Sequence, residues 1–410
     1  MPTREVVKNS VLNLLDITFL SDRVRARPSI YGTAVSTTCN LRCPHCMREA
    51  LGIRENEFMD FEAFARQAED LKYARKVSLF GLGEPFLHPR FFDFVRLCKG
   101  LGVQVITSTH GMSLTPEVRE QILASGIDEI GVSMDGADKR VFEELRVGAD
   151  FQTVVDNVRA LVGLRRERGV DRPALYINMT VLRRNVHQIP EMVRLAHRMG
   201  VSAVSFSSVV IYKEADRANN VLGTPEFEMA LSRGRELSRR LGIRMIFWRQ
   251  KPFGWEPDVY AAGSSFGCVM MWSDQILERD GQMKLCCYIE EDVADAFKLG
   301  LAEAFNCEEI RRQRRLLMEG RVRPECQGCV YLRERTPYWM QAQINLARRQ
   351  TLAAAELTDE DRRELLAEID RVQAQKDSLY PRHGHRPVEA DGAPDGASTP
   401  LGAAAELPTY

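Results

Sequence analysis

Short apolar or β-branched runs alternate with longer amphipathic runs between residues 30 and 247. Strands are expected near 31–37, 76–81, 103–109, 128–134, 174–181 and 202–208. Helices are expected near 60–72, 90–101, 115–125, 151–168, 189–199 and 225–241. This alternation is the pattern of a parallel α/β domain, in which each helix returns the chain beside the previous strand. Two helix starts are explicit: Thr115-Pro116-Glu117 and Thr224-Pro225-Glu226 each place an N-cap hydroxyl before a first-turn proline and an acid. Six β/α units predict an α/β fold, an open, partial TIM-like barrel, with chemistry at the C-terminal ends of its strands.

The flanks read differently. Val6, Val7, Val11, Leu12, Leu14 and Leu15 give residues 3–20 one apolar side, so residues 1–29 are expected to be a helix and a polar connector. Beyond the barrel, Gln275-Ile276-Leu277 and Met283-Lys284-Leu285 flank Asp280-Gly281, the pattern of a β-hairpin. A helix near 308–319 completes a small domain over 248–335, and helices near 338–349 and 359–376 fill 336–380. Residues 381–410 are rich in Ala, Gly and Pro without periodicity, and are expected to be disordered, with His383 and His385 incidental. Loops over 211–222 and 248–265 are expected to cover the barrel mouth; Tyr212, Lys213, Glu214, Arg249, Trp255, Glu256, Asp258 and Tyr260 are their polar and aromatic groups.

Composition narrows the class. At 410 residues, 44% hydrophobic and with a formal net charge of -1, the chain can bury a large core and gives no reason to expect nucleic acid as a partner. The basic run Arg311-Arg312-Gln313-Arg314-Arg315 is expected to be a solvated helix face. Neither a signal peptide nor a run of about 20 apolar residues is evident, so a cytoplasmic protein without a membrane partner is expected. Ten cysteines in such a chain argue for metal binding rather than disulfides.

Three of those thiols lie in Cys39-Asn40-Leu41-Arg42-Cys43-Pro44-His45-Cys46, directly after the first strand. Thiolates select zinc, copper(I) or iron–sulfur clusters. Zinc wants four ligands, and no fourth lies close by. The spacing Cys-x3-Cys-x2-Cys resembles that of the radical S-adenosylmethionine (SAM) enzymes. The resemblance implies a [4Fe–4S] cluster on Cys39, Cys43 and Cys46, with SAM on its open iron and a 5′-deoxyadenosyl radical as the product of reductive cleavage.

Other motifs fall at the following strand ends. Gly81-Leu82-Gly83-Glu84-Pro85 is a turn that lets backbone approach a ligand. It is similar to the family's glycine-rich SAM motif, with Leu82 in place of one glycine. The resemblance gives Gly81, Gly83 and Glu84 to the SAM amino group, and Ser133 and Arg146 to its ribose and carboxylate, a group that suits a guanidinium fork. By the same resemblance His45 lies against the adenine, although a solvent-facing loop residue is the plain alternative. His110 stands where relatives carry Asn, as either a substrate-facing group or a tolerated replacement. Asn178 on the fifth strand is a further candidate whose facing the alternation leaves open.

A second cysteine set consists of Cys268, Cys286, Cys326 and Cys329. The hairpin is expected to bring Cys268 and Cys286 together, and the following helix to return Cys326 and Cys329, so four thiolates would enclose a metal. The arrangement resembles the SPASM extension of radical SAM enzymes in its shorter, single-cluster Twitch form, which implies one auxiliary [4Fe–4S] cluster. Structural zinc is the alternative. Cys287 and Cys307 are possible substitute ligands, and Cys98 is expected in the core.

These features imply a radical SAM enzyme that oxidises or rearranges a small-molecule metabolite, such as a sugar or aminocyclitol, with flavodoxin or ferredoxin as reductant. The alternative is a maturase for a ribosomally made peptide or a protein side chain. The stretch before the barrel is too short for a peptide-binding domain to fold alone, which favours the small molecule. A non-enzyme with two zinc sites would leave the three-thiol loop one ligand short.

Overall fold

The computed structural model describes residues 2–19, 21–209, 214–248, 265–287, 289–326, 329 and 331–379. The fold is α/β, and a ten-stranded sheet organises it in the order β11-β10-β9-β1-β2-β3-β4-β5-β6-β7. Strands β1 (Ile30–Ala34), β2 (Lys76–Phe80), β3 (Gln104–Thr109), β4 (Glu129–Ser133), β5 (Ala174–Val181), β6 (Ala203–Ser208) and β7 (Arg244–Trp248) are all parallel, and helices separate them along the chain. This is the partial, TIM-like barrel that the alternation predicts. Thr115 and Thr224 do cap their helices, accepting hydrogen bonds from the amides of Val118 and Phe227.

Four features differ from the sequence reading. The barrel has a seventh parallel strand, β7, whose four apolar residues after Arg244 are too short a run to stand out beside its helix. The hairpin strands β9 (Asp274–Leu277) and β10 (Gln282–Cys286) are present, yet they do not form a separate sheet. Strand β9 pairs parallel to β1, and β11 (Ile289–Asp295) extends the edge further. The helix expected over 60–72 splits into Phe61–Ala65 and Ala68–Leu71, because Gln67 N–H bonds three residues back to Phe64 O at 2.9 Å and tightens the turn. The basic run is a solvated face only in part: Arg312 is exposed, but Arg314 is fully buried, donating to the carbonyls of Met271, Asp22 and Phe305, while Arg311 and Arg315 pair with Asp22.

The terminal helices form a second core. Helix Arg4–Phe19 packs on Pro337–Ala353 and Asp359–Leu379 through Val11, Leu15, Ile344, Ala347 and Ile369, all buried. Arg4 and Lys8 both reach the buried Asp361 carboxylate, at 2.6 and 2.7 Å. No helix among the described residues is long and apolar enough to cross a membrane.

The barrel interior is layered by strand register. One row runs Ser108, Gly131, Tyr176, Ala203, Arg244, and the next runs Ser133, Asn178, Ser205, Ile246. A closed barrel fills such rows with bulky branched residues. Here they are mostly small or polar, so branched side chains do not fill the interior. At Gly131 itself the side chains of the next strand take up the space: a Cβ there would stand 2.5 Å from Asn178 Nδ2 and 2.8 Å from the Tyr176 ring.

Candidate active site

A cleft of about 650 Å³ occupies that interior. Cys39, Cys43 and Cys46 line it together with Gly81, Gly83, Glu84, Ser133 and Arg146, so residues from the ends of three strands, β1, β2 and β4, meet in one place. Cys43 is buried and its two neighbours half-buried. Burial pushes the Cys43 thiol up to about 12 and raises Cys39 as well, so both are protonated unless a cation draws the proton off. The loop is tied down by backbone: Arg42 N–H donates to Val147 O at 2.9 Å, and Cys46 N–H to Cys43 O at 3.0 Å.

The glycine turn is laid against the segment that enters this loop. Gly83 N–H donates to Ser36 O at 2.9 Å and Glu84 N–H to Thr38 O at 2.8 Å. A Cβ at Gly83 would sit 2.5 Å from Thr38 O, so only glycine permits the approach. Glu84 is buried and turns away from solvent: its carboxylate accepts from Thr109 Oγ1 at 2.7 Å and His110 N–H at 2.8 Å. Burial raises this carboxyl to about 7, against the pull of those bonds. His110 is equally buried. Its Nδ1 accepts from Met112 N–H at 3.0 Å, which assigns the proton to Nε2, and Nε2 donates to Asn40 Oδ1 at 2.8 Å. Burial holds this imidazole at about 4, so it is neutral. His110 lines the cleft and also acts as a strut between β3 and the three-thiol loop.

A third anchor, Asp135, went unassigned in the sequence although it lies two residues past Ser133. It is fully buried. Its Oδ2 accepts from Arg146 Nε at 2.6 Å and His45 Nε2 at 2.9 Å, and its Oδ1 from Thr180 N–H at 2.7 Å. Burial alone would raise this carboxyl, but the Arg146 guanidinium and His45 hold it well below the usual carboxylate range. Arg146 is thus pinned through Nε, and its Nη groups have no hydrogen-bond partner among the described residues. His45 is turned to Asp135 and does not line the cleft.

The far wall comes from β4 to β7. On β5, Tyr176, Asn178 and Thr180 face the cleft while Ile177, Met179 and Val181 are buried, which fixes the facing of Asn178. Its Nδ2 donates to Ser108 Oγ at 3.4 Å. Ser205, Ser207 and Arg244, none of them assigned in the sequence, complete the wall. Their small-polar alternation on the sixth strand was the available signal.

Cys268, Cys286, Cys326 and Cys329 also come together, lining a second, mostly apolar cavity of about 30 Å³ with Met270, Met271, Leu285 and Leu317. Cys268 lies on β8 (Phe266–Cys268), which pairs with β12 (Leu332–Glu334) rather than with the hairpin. Burial, and then the nearness of Cys329, Cys286 and Cys326, pushes its thiol well above the ordinary value. Cys287 is close to Cys286 and Cys329, Cys307 flanks helix Glu308–Met318, and Cys98 is wholly in the core. Lys284 pairs with Ile276, and Ile30 with Asp274, so Cys286 stands level with the start of β1. The three-thiol loop follows the other end of β1, roughly 13 Å away along the strand. Among the described residues no group of three or more His, Cys, Asp or Glu side chains is arranged to hold a single metal ion. Tyr212, Lys213, Arg249, Trp255, Glu256, Asp258, Tyr260, His383 and His385 lie outside the described residues, as does the side chain of Glu214.

Residues 33–196 match the Radical SAM superfamily. The tungsten-containing aldehyde ferredoxin oxidoreductase cofactor-modifying protein of Pyrococcus furiosus is 30% identical over 180 residues, 43% of this chain and 50% of its own. This chain therefore spans about half the length of that relative. An AdoMet-dependent heme synthase of Nitratidesulfovibrio vulgaris is 24% identical over 314 residues, 72% of this chain and 83% of its own. The fold is similar to that of SuiB from Streptococcus suis, solved bound to S-adenosylmethionine, with a TM-score of 0.57 and 15% identity over 70% of this chain and 67% of SuiB. SuiB has also been solved bound to precursor peptide SuiA.

Proposed function

From the radical SAM domain at residues 33–196, we propose that this chain is an enzyme that cleaves SAM reductively and removes a hydrogen atom from a polar substrate held inside the barrel. The observation that carries this reading is the single cleft shared by three thiols, the glycine turn, Ser133 and Arg146. The family works with a [4Fe–4S] cluster and SAM. The donor set fits them: three soft thiolates suit an iron–sulfur cluster and leave one corner open. The cradle fits as well, since Gly83 bares the backbone of the turn and Arg146 offers paired Nη donors.

Cys39, Cys43 and Cys46 would hold the cluster, and Gly81, Gly83, Glu84, Ser133 and Arg146 would hold SAM. Bound there, the two groups supply a hydrogen-abstracting adenosyl radical. The chain's own part is placement. Asp135 fixes Arg146, and His45 contributes through Asp135 rather than by touching the adenine. Glu84 and His110 lock the loop to β3, and Tyr176, Asn178 and Thr180 orient the substrate. Cys268, Cys286, Cys326 and Cys329 would hold one auxiliary [4Fe–4S] cluster, whose bound chemistry is one-electron exchange, behind an apolar wall that excludes water. The reductant would be a one-electron donor such as flavodoxin or ferredoxin.

For the substrate we place a small metabolite, oxidised or rearranged, ahead of a peptide. Two relatives are named for work on a cofactor and on heme. The peptide reading rests on the fold shared with SuiB and on a mycofactocin maturase of Mycobacterium tuberculosis, 31% identical over 169 residues, 40% of this chain and 40% of its own. Anaerobic reconstitution with iron and sulfide tests the proposal. Two clusters per chain and 5′-deoxyadenosine from SAM and dithionite are expected. A fully loaded protein that forms no 5′-deoxyadenosine would overturn it.

A further inference from the structure

Six charged side chains line the cleft, and four are already engaged. Arg48 donates to Thr37 O and Asn56 Oδ1, Glu49 accepts from Arg54, Glu84 accepts from Thr109 and His110, and Arg146 is paired with Asp135. The other two, Glu129 and Arg244, have no ion pair or side-chain hydrogen bond among the described residues. Arg244 opens β7, the last strand of the parallel arc, six strands from β1, which the three-thiol loop follows. Its row neighbour is Ala203 and the residues above it are Ser205 and Ser207, so small side chains leave space beside the guanidinium.

We propose that Arg244 anchors an anionic group of the substrate, so that the substrate is a carboxylate- or phosphate-bearing molecule held across the barrel from the three-thiol loop. The inference rests on the reading of the cleft as a radical SAM site. A guanidinium is always charged and offers a planar fork that matches both anions. Glu129, of opposite sign and three strands away on β4, disfavours the reverse placement. An anion fixed at Arg244 leaves the rest of the molecule extended past Tyr176 and Asn178 towards the three-thiol loop. The shared chemistry is the anion, whether carried by a metabolite or by an acidic side chain or terminus of a peptide.

The test uses extract from cells grown in deuterated medium, divided by size into small molecules and peptides, with each divided again on an anion exchanger. Each fraction is given to the full chain, anaerobically loaded, with unlabelled SAM and reductant, and deuterium in 5′-deoxyadenosine is weighed. Transfer from a retained, anionic fraction is expected, and the size arm that carries it tells metabolite from peptide. Absence of transfer from retained fractions overturns the proposal while leaving the radical chemistry standing. Absence of any 5′-deoxyadenosine overturns the radical reading itself. With the active fraction, Arg244→Gln should lower transfer about tenfold or more at fixed concentration. The loss should be recovered by raising the concentration and, in part, by Arg244→Lys. A loss that neither recovers would mark a folding defect and overturn the anchor role.

Discussion

His110 Nε2 donates to Asn40 Oδ1 at 2.8 Å and so joins the end of β3 to the loop that carries Cys39, Cys43 and Cys46. Because His110 Nδ1 is held by Met112 N–H and the ring is neutral, the strut has one fixed polarity. His110→Ala removes both bonds, and because Asn40 is exposed and Met112 half-buried, water can replace the lost partner, so the cost is about 1 kcal/mol. A lower melting temperature and weaker iron retention by the three-thiol loop are expected. His110→Gln, which can still donate, should restore part of both. Thermal unfolding and iron per chain measure this, and an Ala variant that holds iron as the parent does would refute the strut.

Glu84 makes stability depend on pH. Its folded carboxyl lies at about 7, above its unfolded value, so the native state binds the extra proton. The stabilisation is complete below about pH 4.3, the ordinary glutamate value, and is lost as pH rises towards 7. The chain without cofactors should therefore lose melting temperature between pH 5 and about pH 8, and Glu84→Gln should flatten that slope. An identical slope in the variant would show that another group causes it.

Asp135 carries the opposite sign. Its carboxyl is held low by Arg146 and His45, so its contribution is present above the ordinary aspartate range and disappears only in acid. Asp135→Asn leaves the Arg146 guanidinium without its counter-charge, and breaking a buried pair of this kind costs about 3–5 kcal/mol. SAM binding, followed by equilibrium dialysis, should weaken along with stability. Unchanged affinity in a folded variant would mean that Arg146 needs no positioning.

What was legible in the sequence was local. Periodicity located β5 and the helix Ile189–Met199 at their observed bounds, and the threonine caps marked where two helices begin. What was not legible depends on partners far away in the chain. Nothing near Asp135 announces that it joins His45, Arg146 and Thr180, and nothing in the first helix points to Asp361. The pairing of β9 with β1 joins residues more than two hundred positions apart, which no local pattern encodes. The basic run misled for the same reason: Arg314 finds its acceptors on Met271 and Asp22, both outside its own helix. Cys39, Cys43 and Cys46 were legible because spacing within a loop is itself a local property.

Two thiol sets on separate cavities give the last prediction. Cys39, Cys43 and Cys46 line the open cleft, whereas Cys326 lines the small apolar cavity near the far end of β1. Replacing Cys39, Cys43 and Cys46 together by Ala should abolish 5′-deoxyadenosine formation, and about half of the iron and a cluster absorption band should survive on the second set. Cys326→Ala should do the reverse. It removes one of four enclosing thiols, so the iron on the second set falls. The first cleft is untouched, so 5′-deoxyadenosine still forms while product formation drops much further. The two measurements together separate the possible roles of the second set. If Cys326→Ala lost both activities equally, the second set would serve to hold the fold. If metal analysis found zinc in place of iron there, the set would be a structural zinc site, and electron exchange through it would be ruled out, because zinc has no redox chemistry.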